Sequence, residues 1–236
     1  MWVFPLFAAV IAAAFGIMLA RSFRARRRPY ELSWAIALAM YAAASGAVAL
    51  GALNGWTRTW FEVFWIFGAV LNVPFLAGGE IQLLARRRDI VVGVWVVLAA
   101  IVVAVLVVMG DATYDVVALG QRLPSGKDVF GDGSPAHRLP QLISIPSYLI
   151  LVGGALWSAW RMRGRPEMRD RFSGTLAVAL GATVIAGFGS AFAAFGNLLG
   201  FSIALSAGIV VMFWGFLRAS RSPSAPRENA ATTPSG

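Results

Sequence analysis

Apolar residues in this chain fall into blocks of about twenty, separated by short arginine-rich or glycine-rich breaks; inside the blocks they follow neither a helical stripe nor strand alternation. A segment that is apolar all round is stable only in lipid, as a helix whose backbone groups bond within the segment. Seven such blocks occur: Trp2–Ala20, Leu32–Leu53, Thr59–Ala85, Ile90–Met109, Leu142–Trp160, Gly174–Phe195 and Phe201–Leu217. The pattern predicts an all-α polytopic membrane protein, a seven-transmembrane helix bundle over residues 1–218. Residues 110–141 are then an extracytoplasmic loop and 219–236 a disordered cytoplasmic tail.

Basic residues orient the bundle. In the first block they follow the apolar run, where a signal peptide would carry them in front, so a retained span is expected. Arg26, Arg27 and Arg28 close the first break, Arg86, Arg87 and Arg88 the third, and Arg161, Arg163 and Arg165 the fifth. Taking alternate connections, sixteen basic residues fall on one side and Arg58, Arg122, Lys127 and Arg138 on the other. The bias predicts an outer N-terminus and a cytoplasmic C-terminus. Anionic lipid headgroups at the cytoplasmic face are the expected partners of these clusters, and nucleic acid is not.

Two features hint at internal order. Pro5 and Pro146 stand early in spans one and five, and both spans run into Arg-rich turns ending at Pro29 and Pro166; this suggests a 3+1+3 arrangement of two parallel triads. Small residues recur every four positions in span two (Ala35, Ala39, Ala43, Ala47, Gly51) and span six (Ala182, Ala186, Ser190, Ala194), faces suited to close helix approach. Span four has nothing more polar than Gly93 and the Trp95 indole and is expected to face lipid or link the halves.

Composition then narrows the chemistry. The chain has 58% hydrophobic residues, no Cys, and a single His, His137, in a loop, so thiolate sites and bis-histidine haem ligation are excluded. The loop acids Asp111, Asp115, Asp128 and Asp132 do not have calcium-loop spacing and are expected as solvated turn residues. With no catalytic motif, no enzyme activity, metal or cofactor is expected.

The third span alone carries carboxylates inside an apolar run. Glu80 lies six residues before Arg86, about 9 Å inside the charge boundary. It is either a proton- or cation-coupling group, or a side chain that snorkels to or pairs with the cytoplasmic arginines. Glu62 lies on the same helical face about 27 Å away and is expected to pair with Arg58. Asn72 and Pro74 mark either a broken helix at a substrate site or a kink with one interhelical hydrogen bond from Asn72.

A retinal protein would need a Lys in the last span, which has none, and the paired motif of 3+1+3 sugar transporters is represented only by Pro140 and Gln141. The segments GAVLNVPFLAGGEIQLLARR (Gly68–Arg87), LPSGKDVFG (Leu123–Gly131) and GGALWSAWR (Gly153–Arg161) resemble a group of actinobacterial seven-span membrane proteins of unassigned activity. The resemblance implies a bacterial plasma membrane and brings no functional residues with it. The expected function is a non-enzymatic ligand-sensing or partner-binding module, acting with another membrane protein or a second copy of itself; the alternative is a small-solute transporter with a 3+1+3 repeat.

Overall fold

The computed structural model describes residues 2–85, 87–163 and 169–220, the side chains of 169–171 and 219–220 excepted. Arg86, Arg165 and the tail from residue 221 onward lie outside the described residues. Those described form helices and turns and no strand. Seven helices are long and apolar enough to cross a membrane: α1 (Val3–Arg26), α2 (Pro29–Asn54), α3 (Arg58–Leu84), α4 (Arg88–Gly110), α5 (Pro135–Met162), α6 (Phe172–Ala194) and α7 (Leu198–Arg218). The connections α1–α2, α3–α4 and α5–α6 share one end of the bundle, the arginine end; the others share the opposite end, the cap end.

Local chemistry sets the breaks. Arg27 takes a left-handed conformation (φ 53°) and its N–H donates to Phe23 O at 2.7 Å, closing α1 as glycine usually does. Pro29 then opens α2, where the missing N–H costs nothing. Thr57 caps α3 by accepting from Trp60 N, and Ser134 caps α5 by accepting from His137 N.

Six helices pack as a ring in the order α1, α2, α3, α5, α6, α7 and back to α1, and α4 lies outside it against α3 and the first turns of α5. Only 11% of the most apolar stretch of α4 is buried, against 56% for α7, so α4 is the least buried of the seven helices. The tightest seam joins α6 to α7. A Cβ on Gly181 would stand 2.5 Å from Gly208 O, and one on Gly215 2.6 Å from Gly174 O. The small-residue face expected from sequence is only partly in this seam: Ala182 is buried and Ala186 half-buried, while Ser190 and Ala194 are exposed. In α2 the expected stripe likewise splits: Ala35, Ala47 and Gly51 are buried while Ala39 and Ala43 are exposed.

π-helical turns interrupt three spans, at Phe64–Leu71 in α3, Pro140–Ser144 in α5 and Val184–Gly189 in α6. Wide turns of this kind usually mark a local conflict or a functional position. In α3 the conflict is visible: Pro74 has no N–H for the carbonyl four residues earlier, Val70. Ser144 of α5 repairs it, donating to Ala69 O (2.7 Å) or Val70 O (3.0 Å). Ser144→Ala is therefore expected to lower stability by about 1 kcal/mol, read as the unfolding midpoint in nanodiscs.

The connection from Gly110 is not the exposed loop its Gly, Pro, Ser and Asp content predicts. It folds into a cap with the short helices Ala118–Gly120 and Gly126–Phe130, and its last turn, from Pro135, is continuous with α5. Val129, Phe130, Ala136 and Leu139 are buried against Phe61 and Trp65 of α3. Burial of two or three such side chains at about 1.5–3 kcal/mol each is ample to hold a segment this short.

Candidate functional site

The cap is joined to α3 by specific bonds. Trp65 Nε1 donates to Ala136 O at 3.2 Å, and Trp56 Nε1, just before α3, donates to Arg122 O at 3.0 Å. Gly126 lies flat on the Trp65 ring, with no room for a Cβ. Beside them Arg58 pairs with Glu62 at 2.7 Å, and its guanidinium sits over the Tyr114 ring at 4.3 Å. Burial, with the Glu62 carboxylate close by, pushes the Tyr114 phenol up to about 12, so it stays neutral at physiological pH. Glu62 is thus held in an ion pair at the rim, far from the other candidate residues.

Asn72 and Pro74 lie where the π turns of α3 return to α-helix, both buried, and the helix continues through Pro74 without a break. The interhelical hydrogen bond expected from Asn72 is made instead by Ser144, aimed at the carbonyl that proline leaves open. The backbone there is satisfied from α5 and exposes no row of carbonyls of the kind a broken helix offers.

Glu80 is 5% exposed and forms no ion pair among the described residues. Its Oε1 meets no hydrogen-bond partner. The side chain passes across Gly154 of α5, where a Cβ would stand 2.6 Å from Glu80 Cγ, so the glycine makes the space the carboxyl occupies. At 5% exposure the side chain does not snorkel, and among the described residues no arginine pairs with it. Such a group is stable as the neutral acid or with a bound cation, and costly as a bare carboxylate.

Two further buried polar groups were missed by sequence reasoning. Glu31, in the first turn of α2, is 4% exposed; its Oε1 accepts from Ser22 Oγ of α1 at 2.9 Å and its Oε2 has no partner among the described residues. Gln82 accepts from Ser33 Oγ at 3.0 Å and leaves Nε2 unpartnered. The signal available was their depth in predicted spans, but only the return of α1 and α2 over them closes off solvent. With Glu80 they place three buried unpartnered polar atoms in the arginine-end half of α2 and α3. By contrast the mid-depth hydroxyls are spent on packing: Ser206 donates to Phe4 O, and Thr183 to Ala179 O while accepting from Tyr148.

Two concavities lie elsewhere. One, of about 390 Å3, opens at the cap end between Gly51 and Trp56 at the end of α2, Gln121 and Arg122 of the cap, and Leu198 at the start of α7. The other, about 230 Å3, is an apolar groove between α6 and α7 walled by Phe188, Phe192 and Ile203. Neither is lined by Asn72 or Glu80.

The three segments that carry the sequence resemblance meet on α3. Val70 and Leu71 share a core cluster with Val129 and Phe130 of the cap, and Glu80 lies on Gly154 of α5. Comparison with family models, curated proteins and solved structures finds no match to this chain. The firm identification is therefore a multi-pass, all-helical protein with seven helices suited to cross a membrane, with a third span that joins a folded cap to a buried glutamate whose Oε1 has no partner among the described residues.

Proposed function

We propose that this is a non-enzymatic ligand-sensing membrane module, in which occupancy of the cap cleft is passed along α3 to the arginine end. The observation that carries it is the fusion of cap and α3: Trp56, Trp65 and Gly126 tie the cleft's wall to the helix that holds Glu80. A span used only as scaffold has no need of an uncompensated carboxyl; a span with two states does, because the group is satisfied differently in each. In this reading the cap lies outside a bacterial plasma membrane and the arginine turns face the cytoplasm, supported by the charge bias of sixteen to four. Those turns engage anionic headgroups and dock a membrane partner or a second copy, since signalling needs an output. Kinship with the actinobacterial seven-span group belongs to the same proposal, supported by the convergence of its three segments.

The test exploits the absence of cysteine. Ala52→Cys in nanodiscs, filled with a bulky maleimide, is expected to change amide hydrogen exchange in Asn72–Leu84 by about fivefold or more, a coupling of roughly 1 kcal/mol. Unchanged exchange in that segment would reject the sensing role.

A second proposal, a small-solute transporter with a 3+1+3 repeat and Asn72 and Glu80 on its pathway, draws support from the position of α4 outside a ring of two triads and from the π turns in α3, α5 and α6. Solute flux into proteoliposomes above that of empty vesicles separates it from the first.

A further inference from the structure

We infer that the cap cleft binds an anionic amphiphile, its phosphate or carboxylate head on Arg122 and its chain against Trp56, Gly51 and Leu198. The inference rests on the sensing proposal only for the consequence of binding, not for binding itself.

Size and lining come first. The cleft's 390 Å3 lies within the roughly 300–1,000 Å3 of small-ligand sites. It suits a headgroup and the start of a chain. The Trp56 ring is fixed as one wall, because its N–H is bonded to Arg122 O and its face rests on Gly51, where a Cβ would stand 2.7 Å from the ring.

Charge decides the sign of the head. Arg122 lines the cleft and forms no ion pair among the described residues; of the other cations at this end, Arg58 and Lys127 pair with Glu62 and Asp132, and Arg138 lies against Gly133, outside the cleft lining. No acid lines the cleft. Asp115, the carboxylate nearest along the cap, is turned into its own turn and accepts from Val117 N (2.8 Å) and Ala118 N (3.3 Å). The last turn of α2 and the first turn of α7 both border the space, and their opposite end charges offset. What remains is one guanidinium, whose planar fork matches a carboxylate or phosphate.

The rim indicates where such a ligand comes from. Val116 and Val117, next to the lining turn, are 78% and 85% exposed, and Leu53, next to Ala52, is 54% exposed. Exposed apolar side chains adjacent in sequence to the cleft's lining residues suit a lipid interface better than bulk water. A ligand arriving along that interface carries an apolar chain, which gives the Trp56 wall its role.

Binding is measured on the full chain in phosphatidylcholine nanodiscs, with empty nanodiscs subtracted, using dodecyl phosphate, dodecyl trimethylammonium and inorganic phosphate. Dodecyl phosphate is expected to bind wild type and Arg138→Gln alike and to lose roughly tenfold or more in affinity with Arg122→Gln. Arg122→Glu is expected to reverse the preference toward dodecyl trimethylammonium, a change that misfolding does not produce. Competition by added phosphatidylglycerol assigns the site to a lipid headgroup, and its absence to a free amphiphile; both support the inference. Equal dodecyl phosphate affinity in wild type and Arg122→Gln overturns it, as does inorganic phosphate binding as tightly as dodecyl phosphate. Anion binding with unchanged exchange in α3 rejects the sensing role alone, and altered exchange on filling the cleft without anion binding rejects this inference alone.

Discussion

Gly208→Val is expected to be the most damaging single substitution in the bundle, costing about 3 kcal/mol in the unfolding midpoint. A Cβ at Gly208 meets Ile185 Cγ1 and stands 2.8 Å from Gly181 O, and the reciprocal Cβ on Gly181 stands 2.5 Å from Gly208 O. Side chains can rotate away, but a carbonyl oxygen can move only with its helix. The α6–α7 connection, Phe195 to Asn197, is too short to let the helices separate at the cap end. In lipid such a seam is held by dispersion and close approach, because apolar side chains gain little by leaving one apolar solvent for another. Gly153→Ala in α5 is the matched control: nothing lies within 4 Å of its Cβ position, so the change is expected to be neutral or to gain up to about 1 kcal/mol of helix propensity. Equal midpoints for the two variants would show that the α6–α7 seam is not closed as described.

The same seam shows where the sequence stopped being legible. A small residue every four positions assumes 3.6 residues per turn, and the π turns at Val184–Gly189 shift that phase. The contact face therefore runs through Gly174 and Gly181, while Ser190 and Ala191, past the π turns, are exposed. The seven spans themselves were legible because an apolar block is a property of composition and survives any change of phase. Their ends were less so: α5 starts at Pro135 rather than Leu142, because Pro140 is taken up in π turns instead of ending the helix. The cap was misread for a related reason. Its buried residues, Leu119, Val129, Phe130 and Leu139, are too sparse among Gly, Pro and Asp to show a period, and their partners Phe61 and Trp65 lie in a distant span.

Within the site, Glu62 was legible because its partner is four residues away, inside one turn of helix. The depth of Glu80 followed from counting residues to the arginines. Its burial against α5 did not, because that depends on which helix lies opposite, and the position facing it holds Gly154. Glu31 looked the same in sequence as any solvated first-turn acid until α1 covered it.

Glu80→Leu is expected to stabilise the bundle by about 1–3 kcal/mol. Removing a buried polar group whose Oε1 has no partner among the described residues recovers its desolvation cost, and leucine fills the space beside Gly154 with little loss of volume. This inverts the ordinary expectation for a buried charged residue, whose loss destabilises because a partner is left behind. The sign therefore separates a carboxyl kept for a second state from one kept for structure. The direct measurement is the thermal unfolding midpoint of Glu80→Leu beside wild type in the same nanodiscs. A higher midpoint, with loss of the exchange response in Asn72–Leu84 when the cleft is filled, is the result expected of a sensing span. A lower midpoint with the response intact would mean that Glu80 is structural and that α3 carries no signal through it.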